Sequence, residues 1–275
     1  MNLPLGLGAA TAAAVSFGTG DFAGAVVSRR TTPLSAALSL QLLSGIALGA
    51  ILIATSDPLN PVATGIGLVA GMGVAIGILA IYEALSAGAM GVVAVLTGVV
   101  GSALTLSYDV LIAGRPPSPL QLAGMGCAIG GAALSARLGT VSVRIALLSL
   151  VGGCAFGTSF IAFNLAAGQS YVVVLFVARA VAVALLGAVW LMRRVGRLTV
   201  HPLIVFAGGL DTAANLLILV AVSVIPVSLA TAIASANPPI VIMLLARFVL
   251  GEGLPRSAYL SVGLACVGIG LMFLG

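Results

Sequence analysis

The sequence predicts an all-α membrane protein, with ten transmembrane helices arranged as two five-helix inverted-topology repeats around a central cavity. Three observations predict it. Of 275 residues, 61% are hydrophobic and 6% charged, where a soluble domain carries about 25% charged residues. The apolar runs are continuous and about 20 residues long with no dyad alternation, the pattern of bilayer-crossing helices rather than barrel strands. Short sequence matches also recur at an offset near half the chain length. In lipid every backbone polar group must be paired internally, which makes helices the spanning element here. Abundant Ala and Gly suit close packing between them.

The spans follow from the punctuation. The first runs from Leu5 to Val27 and stops at Arg29-Arg30 and Pro33. The second, Leu34 to Ala54, is closed by Asp57-Pro58 and Pro61. The third covers Gly65 to Ser86, and a very short turn leads to the fourth, Gly91 to Tyr108. Arg115-Pro116-Pro117 and Pro119 precede the fifth, Leu120 to Ala136. The sixth covers Arg144 to Leu165 and the seventh Val172 to Met192. Beyond Arg193, Arg194, Arg197 and His201, the eighth runs from Leu203 to Val222, the ninth from Val227 to Leu245 and the tenth from Ser257 to Leu274.

The net charge of +5 comes from 11 basic residues, all arginine, against 6 acids. The arginines sit mostly at helix ends with no basic stripe or interleaved aromatics, so they read as membrane anchors and not as a nucleic-acid surface. Arg29, Arg30, Arg137, Arg144, Arg193, Arg194, Arg197, Arg247 and Arg256 fall in odd-numbered loops and only Arg115 in an even one. The positive-inside rule then places the odd loops in the cytoplasm and both termini on the non-cytoplasmic side. The first apolar run lacks a basic n-region and a cleavage site, so it is expected to be a retained span. Cys127, Cys154 and Cys266 lie far apart in apolar spans without metal-ligand spacing, and no metal site is expected from them.

The repeat rests on weak matches that agree. Phe17-Gly18-Thr19 recurs as Phe156-Gly157-Thr158, 139 residues on, while Ser86 meets Ser223 and Gly114 meets Gly251 at an offset of 137. This divides the chain into a first five-helix repeat over 1–138 and a second over 139–275. Five is odd, so the second copy enters the membrane from the opposite face. Inverted repeats of this kind enclose a midplane site and expose it alternately to each side, which points to a transporter.

Several further stretches carry a resemblance. Asn237-Pro238-Pro239, then Leu250-Gly251-Glu252, Tyr259, Gly263 and a glycine-rich last span resemble the closing segment of the drug/metabolite transporter superfamily, in its EamA-type ten-helix branch. Tyr82-Glu83-Ala84-Leu85-Ser86 and the stretch from Gly114 to Gly124 are similar to the same pattern in the first half, and Phe17-Gly18-Thr19 stands where the family has an aromatic-Gly turn. Gly114-Arg115 departs from the family's Gly-Glu pair, and the proline usual in the fourth helix is missing. Family members also often have cytoplasmic termini, against the arginine distribution. Within the superfamily the resemblance is closest to amino-acid exporters of the inner membrane, including those for aromatic amino acids, and this implies export of such solutes.

Polar groups inside a span are costly and by default face the interior or a wet cavity. On that ground Gln41, Tyr82, Ser102, Thr158, Asn164, Asp211, Asn215 and Asn237 are the candidate substrate-binding residues, with Pro238 and Pro239 as helix-kink residues that free carbonyls one turn earlier. Asp211 and Asn215 share one helix face. Asp211 reads as a contact for a substrate ammonium, as a protonatable coupling site, or as a structural partner for Arg179. Arg179 could hold a carboxylate in a bidentate fork, though snorkelling to the interface is the expected outcome. Trp190 reads as an aromatic-belt anchor near Arg193. Asp21, Glu83 and Asp109 are expected to be solvated helix ends, with cap or gate roles open. His201 is not expected to act in catalysis or metal binding. Glycine pairs such as Gly126 with Gly130 and Gly268 with Gly270 suggest helix contacts between the fifth and tenth spans.

The expected activity is therefore a secondary transporter exporting amino acids, with aromatic ones as candidates, and related small metabolites by alternating access. Efflux of lipophilic or cationic drugs is the alternative, followed by an intramembrane enzyme or a channel subunit. No nucleotide-cradling loop with Lys is present, and no nucleophile stands beside His201, so no cofactor and no enzyme activity are expected. The expected partners are a small-molecule substrate and the lipid bilayer, with no nucleic acid, for a monomer in the inner membrane.

Overall fold

The computed structural model describes residues 2–28, 31–86, 90–135, 142–195, 197–198, 201–236, 238–250 and 256–275. Among them there is no strand. The helices are α1 (Leu3–Ser28), α2 (Pro33–Thr55), α3 (Pro61–Ser86), α4 (Met90–Leu111), α5 (Pro119–Ser135), α6 (Val143–Leu165), α7 (Tyr171–Met192), α8 (Pro202–Val224), α9 (Val227–Ala236), α10 (Pro238–Leu250) and α11 (Arg256–Leu274).

Most helix starts are written locally. Pro33, Pro61, Pro119 and Pro202 open α2, α3, α5 and α8, where a missing N–H costs nothing and φ is already set. Side chains just ahead accept the orphan N–H groups of the first turn: Thr32 from Ser35 N, Asn60 from Ala63 N, Ser142 from Ile145 N and Ser170 from Val173 N. His201 does the same for α8, its Nδ1 accepting from Leu203 N at 3.2 Å. Ser118 and Gln121 cap α5 reciprocally, at 3.1 and 2.9 Å, the capping-box arrangement. Gly114 takes φ +62° in the turn after α4, a left-handed conformation that glycine adopts without penalty.

Among the described residues, six helices are long and apolar enough to cross a bilayer: Leu3–Gly24, Leu34–Thr55, Pro61–Ile81, Val143–Leu165, Tyr171–Met192 and Pro202–Val224. The chain is thus an all-helical, multi-pass membrane protein. The third span begins at Pro61, four residues ahead of the expected Gly65, because Asn60 caps there. The expected fifth span is represented by α5, whose described residues end at Ser135. The expected ninth span is represented by α9 and α10, which flank residue 237.

In the packing, α1 lies along α8 and α3 along α6, α2 lies along α7, α5 along α11, and α4 along both α6 and α9, while α1 also touches α9 and α10. The main core contains Leu7, Leu48, Phe163, Val173, Leu175, Ile218, Leu219, Ile225, Leu229 and Ile233. These lie in the early turns of α1, α7 and α9 and the late turns of α2, α6 and α8. Among the described residues these core side chains gather at the end of the bundle where α2 joins α3, α6 joins α7 and α8 joins α9. Smaller clusters, such as Val27 with Ala36 and Ile204, serve the opposite end. Large aliphatic and aromatic side chains cover the outside, Ile53 and Phe248 each 81% exposed, as a lipid-facing surface requires.

The contact between α5 and α11 is built on one expected glycine, Gly268, and on Gly124, which was not expected. A Cβ on Gly124 would meet the Gly268 carbonyl at 2.6 Å, and one on Gly268 the Gly124 carbonyl at 2.6 Å. Gly126, Gly130 and Gly270 have nothing within 4 Å of that position.

Candidate functional site

The strongest polar constellation forms where α2, α7 and α8 meet. Arg179 lies eight residues into α7 and Asp211 nine residues into α8, each about 12–14 Å from its helix start. Arg179 does not snorkel, contrary to expectation: it is 3% exposed. Its Nη2 lies 2.9 Å from Asp211 Oδ2, and its Nη1 donates to Gln41 Oε1. A counter-charge at the same depth replaces the interface as the solution to desolvation. Gly45 of α2 faces the stem, since a Cβ there would be 3.6 Å from Arg179 Cβ.

Asn215, one turn along α8, donates Nδ2 to the Asp211 carbonyl at 2.7 Å and to Asp211 Oδ1 at 3.3 Å. Asp211 Oδ1 is thereby hydrogen-bonded by Asn215, while Oδ2 faces Arg179 as an ion pair and has no hydrogen bond among the described residues. Beside this cluster Ser44 and Thr212 share a hydrogen bond of 2.9 Å. The structure thus brings together Gln41, Asp211 and Asn215 of the expected residues and adds Arg179.

Asp21 of α1 borders the cluster. Gly20 brings α1 against α8, a Cβ there lying 3.5 Å from the Ala207 carbonyl and 3.7 Å from Leu210 Cβ. Asp21 itself is exposed and makes no hydrogen bond or ion pair among the described residues.

Asn164 and Ser102 lie elsewhere. Asn164 donates Nδ2 to the Val222 carbonyl at 2.5 Å and accepts from Tyr108 OH at 3.3 Å, tying α6 to α8 and α4. Ser102 is buried, and its hydroxyl has no partner among the described residues. The same holds for Thr97 beside it on α4 and for Ser228 and Thr231 on α9. Thr158 is exposed and returns its hydroxyl to the Cys154 carbonyl in its own helix, so it does not join the cluster. Tyr82 and Pro239 lie in α3 and α10 with side chains outside the described residues, and Asn237 falls outside them altogether. Pro238 is buried, with Gly18 of α1 against it: a Cβ on Gly18 would sit 3.0 Å from the Pro238 Cα and carbonyl oxygen.

One functional group escaped sequence reasoning. Asp109, expected at a solvated end, is 1% exposed. Its carboxylate accepts from Val227 N at 3.2 Å and Ser228 N at 2.6 Å. It therefore caps α9 from α4, 118 residues away in sequence. The readable signal is Pro226, which leaves α9 with no capping side chain directly ahead of it. Glu83 pairs with Arg144 and Arg193 at the surface, and Trp190 donates Nε1 to Ser35 Oγ at 3.0 Å. No group of three or more metal-ligating side chains occurs among the described residues.

Comparison with known proteins agrees with this architecture. Residues 4–137 match the EamA-like transporter family. No curated protein matches the chain. A solved crystal structure superposes with a TM-score of 0.79 at 16% identity, covering 98% of this chain and 97% of its own. At that identity the likeness speaks to fold alone. An EamA-like transporter match over residues 4–137, inside a helical fold shared from end to end, supports a member of the drug/metabolite transporter superfamily.

Proposed function

We propose that the protein is a secondary transporter exporting amino acids and related small metabolites across the inner membrane, by alternating access of two inverted five-helix halves, 1–138 and 139–275. One observation carries the reading. Gln41 and Arg179 are 138 residues apart, the repeat offset, and they hydrogen-bond to each other. A residue that touches its own repeat equivalent lies on the axis relating the copies.

Other contacts support the same axis. Gly18 packs on Pro238, and its repeat equivalent Gly157 packs on Gly101, 3.2 Å from that carbonyl to a built Cβ. Gly101 and Pro238 are themselves 137 apart. The pairing of α1 with α8 corresponds to that of α3 with α6 under the same exchange. Inverted halves of this kind support a midplane site that changes sides by rocking of one half on the other. The Arg179–Asp211 cluster is the candidate for that site, with Gln41 and Asn215 as its polar neighbours and Pro238 and Pro239 as the kink that shapes the adjoining helix.

Several ties hold together the end with the even-numbered loops. The main core, the Asp109 cap on α9 and the Tyr108–Asn164–Val222 tie all lie there. By the arginine distribution this is the non-cytoplasmic end, where both termini lie, and the chain acts as a monomer. Efflux of cationic drugs is the second reading, favoured by the unpaired carboxylate of Asp21. Uptake of labelled phenylalanine or threonine into proteoliposomes, competed by a quaternary ammonium compound, tests the two. Saturable amino-acid transport without such competition supports export of amino acids, and transport of the quaternary cation alone overturns it.

A further inference from the structure

The chain turns from α8 into α9 at Ile225 and Pro226. Within a helix the Val222 carbonyl would accept the N–H of the residue four places on, but that residue is Pro226, which has none. Val222 is fully buried, and an unpaired acceptor there is costly. Asn164 of α6 supplies the missing donor, its Nδ2 reaching the Val222 carbonyl at 2.5 Å. Tyr108 of α4 holds the other end of that amide, its hydroxyl donating to Asn164 Oδ1 at 3.3 Å.

The bond crosses a division in the packing. α8 lies along α1 and α2, whereas α4 lies along both α6 and α9. Ile225 closes the end of α8 against α1, where a Cβ on Gly6 would collide with it. Asp109 ties the first turn of α9 to α4. The two groups also touch where α1 meets α9, in the apolar core that holds Leu7, Leu229 and Ile233. Apolar surfaces slide past each other at small cost, whereas a hydrogen bond must break. Asn164 to Val222 is the hydrogen bond that joins α6 to α8 among the described residues. Val222 also stands eleven residues beyond Asp211 on the same helix, about 16 Å along it, so α8 links the charged cluster to the turn.

We infer that Asn164 is the latch of the end with the even-numbered loops: its bond to the Val222 carbonyl holds α8 against α6, and its release lets that end open. Tyr108 is a positioning residue that keeps the amide aimed at the carbonyl. The assignment rests on the proposed transport reading and adds to it the contact that must break during the cycle.

Double electron–electron resonance tests this in the full-length protein with Cys127, Cys154 and Cys266 replaced by serine. Nitroxides on Leu5→Cys of α1 and Leu111→Cys of α4, both exposed positions at this end, report the separation of the two groups. Asn164→Leu is expected to raise the ratio of longer to shorter separations about fivefold, the scale of one hydrogen bond. Tyr108→Phe is expected to raise it less, in the same direction. Variants that melt earlier but keep the wild-type distribution make Asn164 a structural cap alone and overturn the latch. Should Asn164→Leu fail to fold, Tyr108→Phe decides by the same reading. A shifted distribution without movement of phenylalanine in vesicles upholds the latch and overturns the transport reading instead.

Discussion

Arg179 of α7 and Asp211 of α8 meet at 2.9 Å with side chains 4% and 15% exposed, so two opposite charges at mid-helix depth neutralise each other inside the bundle. Gln41 and Asn215 supply the further hydrogen bonds that a desolvated pair requires.

Removing one partner leaves the other charge buried and alone. Asp211→Ala and Arg179→Ala are each expected to lower stability by about 3–5 kcal/mol, and replacing both with Leu and Met is expected to recover most of that loss. Thermal unfolding in detergent checks this through the double-mutant cycle. Equal losses that simply add would contradict the pairing.

Asp109 is the only acceptor given to the first N–H groups of α9 from outside that helix among the described residues. Asp109→Ala is expected to cost about 1–2 kcal/mol, the value of a helix cap, and Asp109→Asn less, because one acceptor oxygen remains. Hydrogen exchange at Val227 and Ser228 should rise in the alanine variant and stay near wild type elsewhere.

Close helix contact sets an order among glycine substitutions. A Cβ on Gly18 would lie 2.6 Å from Val241 Cβ, one on Gly157 3.0 Å from Leu104 Cδ2, and one on Gly126 would meet nothing within 4 Å. Gly18→Ala should therefore destabilise by about 1–3 kcal/mol through overpacking, Gly157→Ala by less, and Gly126→Ala by no more than about 0.5 kcal/mol. A melting-temperature series in one detergent reads the order directly.

The surface ion pairs behave differently. Glu83 meets Arg144 and Arg193, whose side chains are 67% and 55% exposed. Glu83→Gln should change stability by less than about 1 kcal/mol, and the change should shrink as salt is added.

Much of the fold was legible because it is local. Proline and a capping side chain open α2, α3, α5 and α8, and the expected spans fall within a few residues of the observed helices. The candidate site was half legible. Polarity inside a span marked Gln41, Asp211 and Asn215, and the i, i+4 spacing put the last two on one face. The partnership of Arg179 with Gln41 joins residues 138 apart, and nothing in either helix's own period announces it. Snorkelling was the expected fate of Arg179 because its neighbours in α7 are all apolar, whereas its counter-charge arrives from α8. Asp109 was read as a helix end for the same reason: its partners are backbone N–H groups of another helix. Thr158 shares the polarity of the other candidates, but its own backbone satisfies it.

The buried seam between α4 and α9 gives the most direct test of alternating access. Ser102 is 1% exposed, and its hydroxyl has no partner among the described residues, as expected of a group that meets water or solute in another state. With Cys127, Cys154 and Cys266 replaced by serine, a Ser102→Cys protein in oriented proteoliposomes should react with a membrane-impermeant maleimide from both faces. Saturating phenylalanine should shift the ratio of the two rates. A cysteine there that stays unreactive from either face, with and without solute, would contradict a seam that opens.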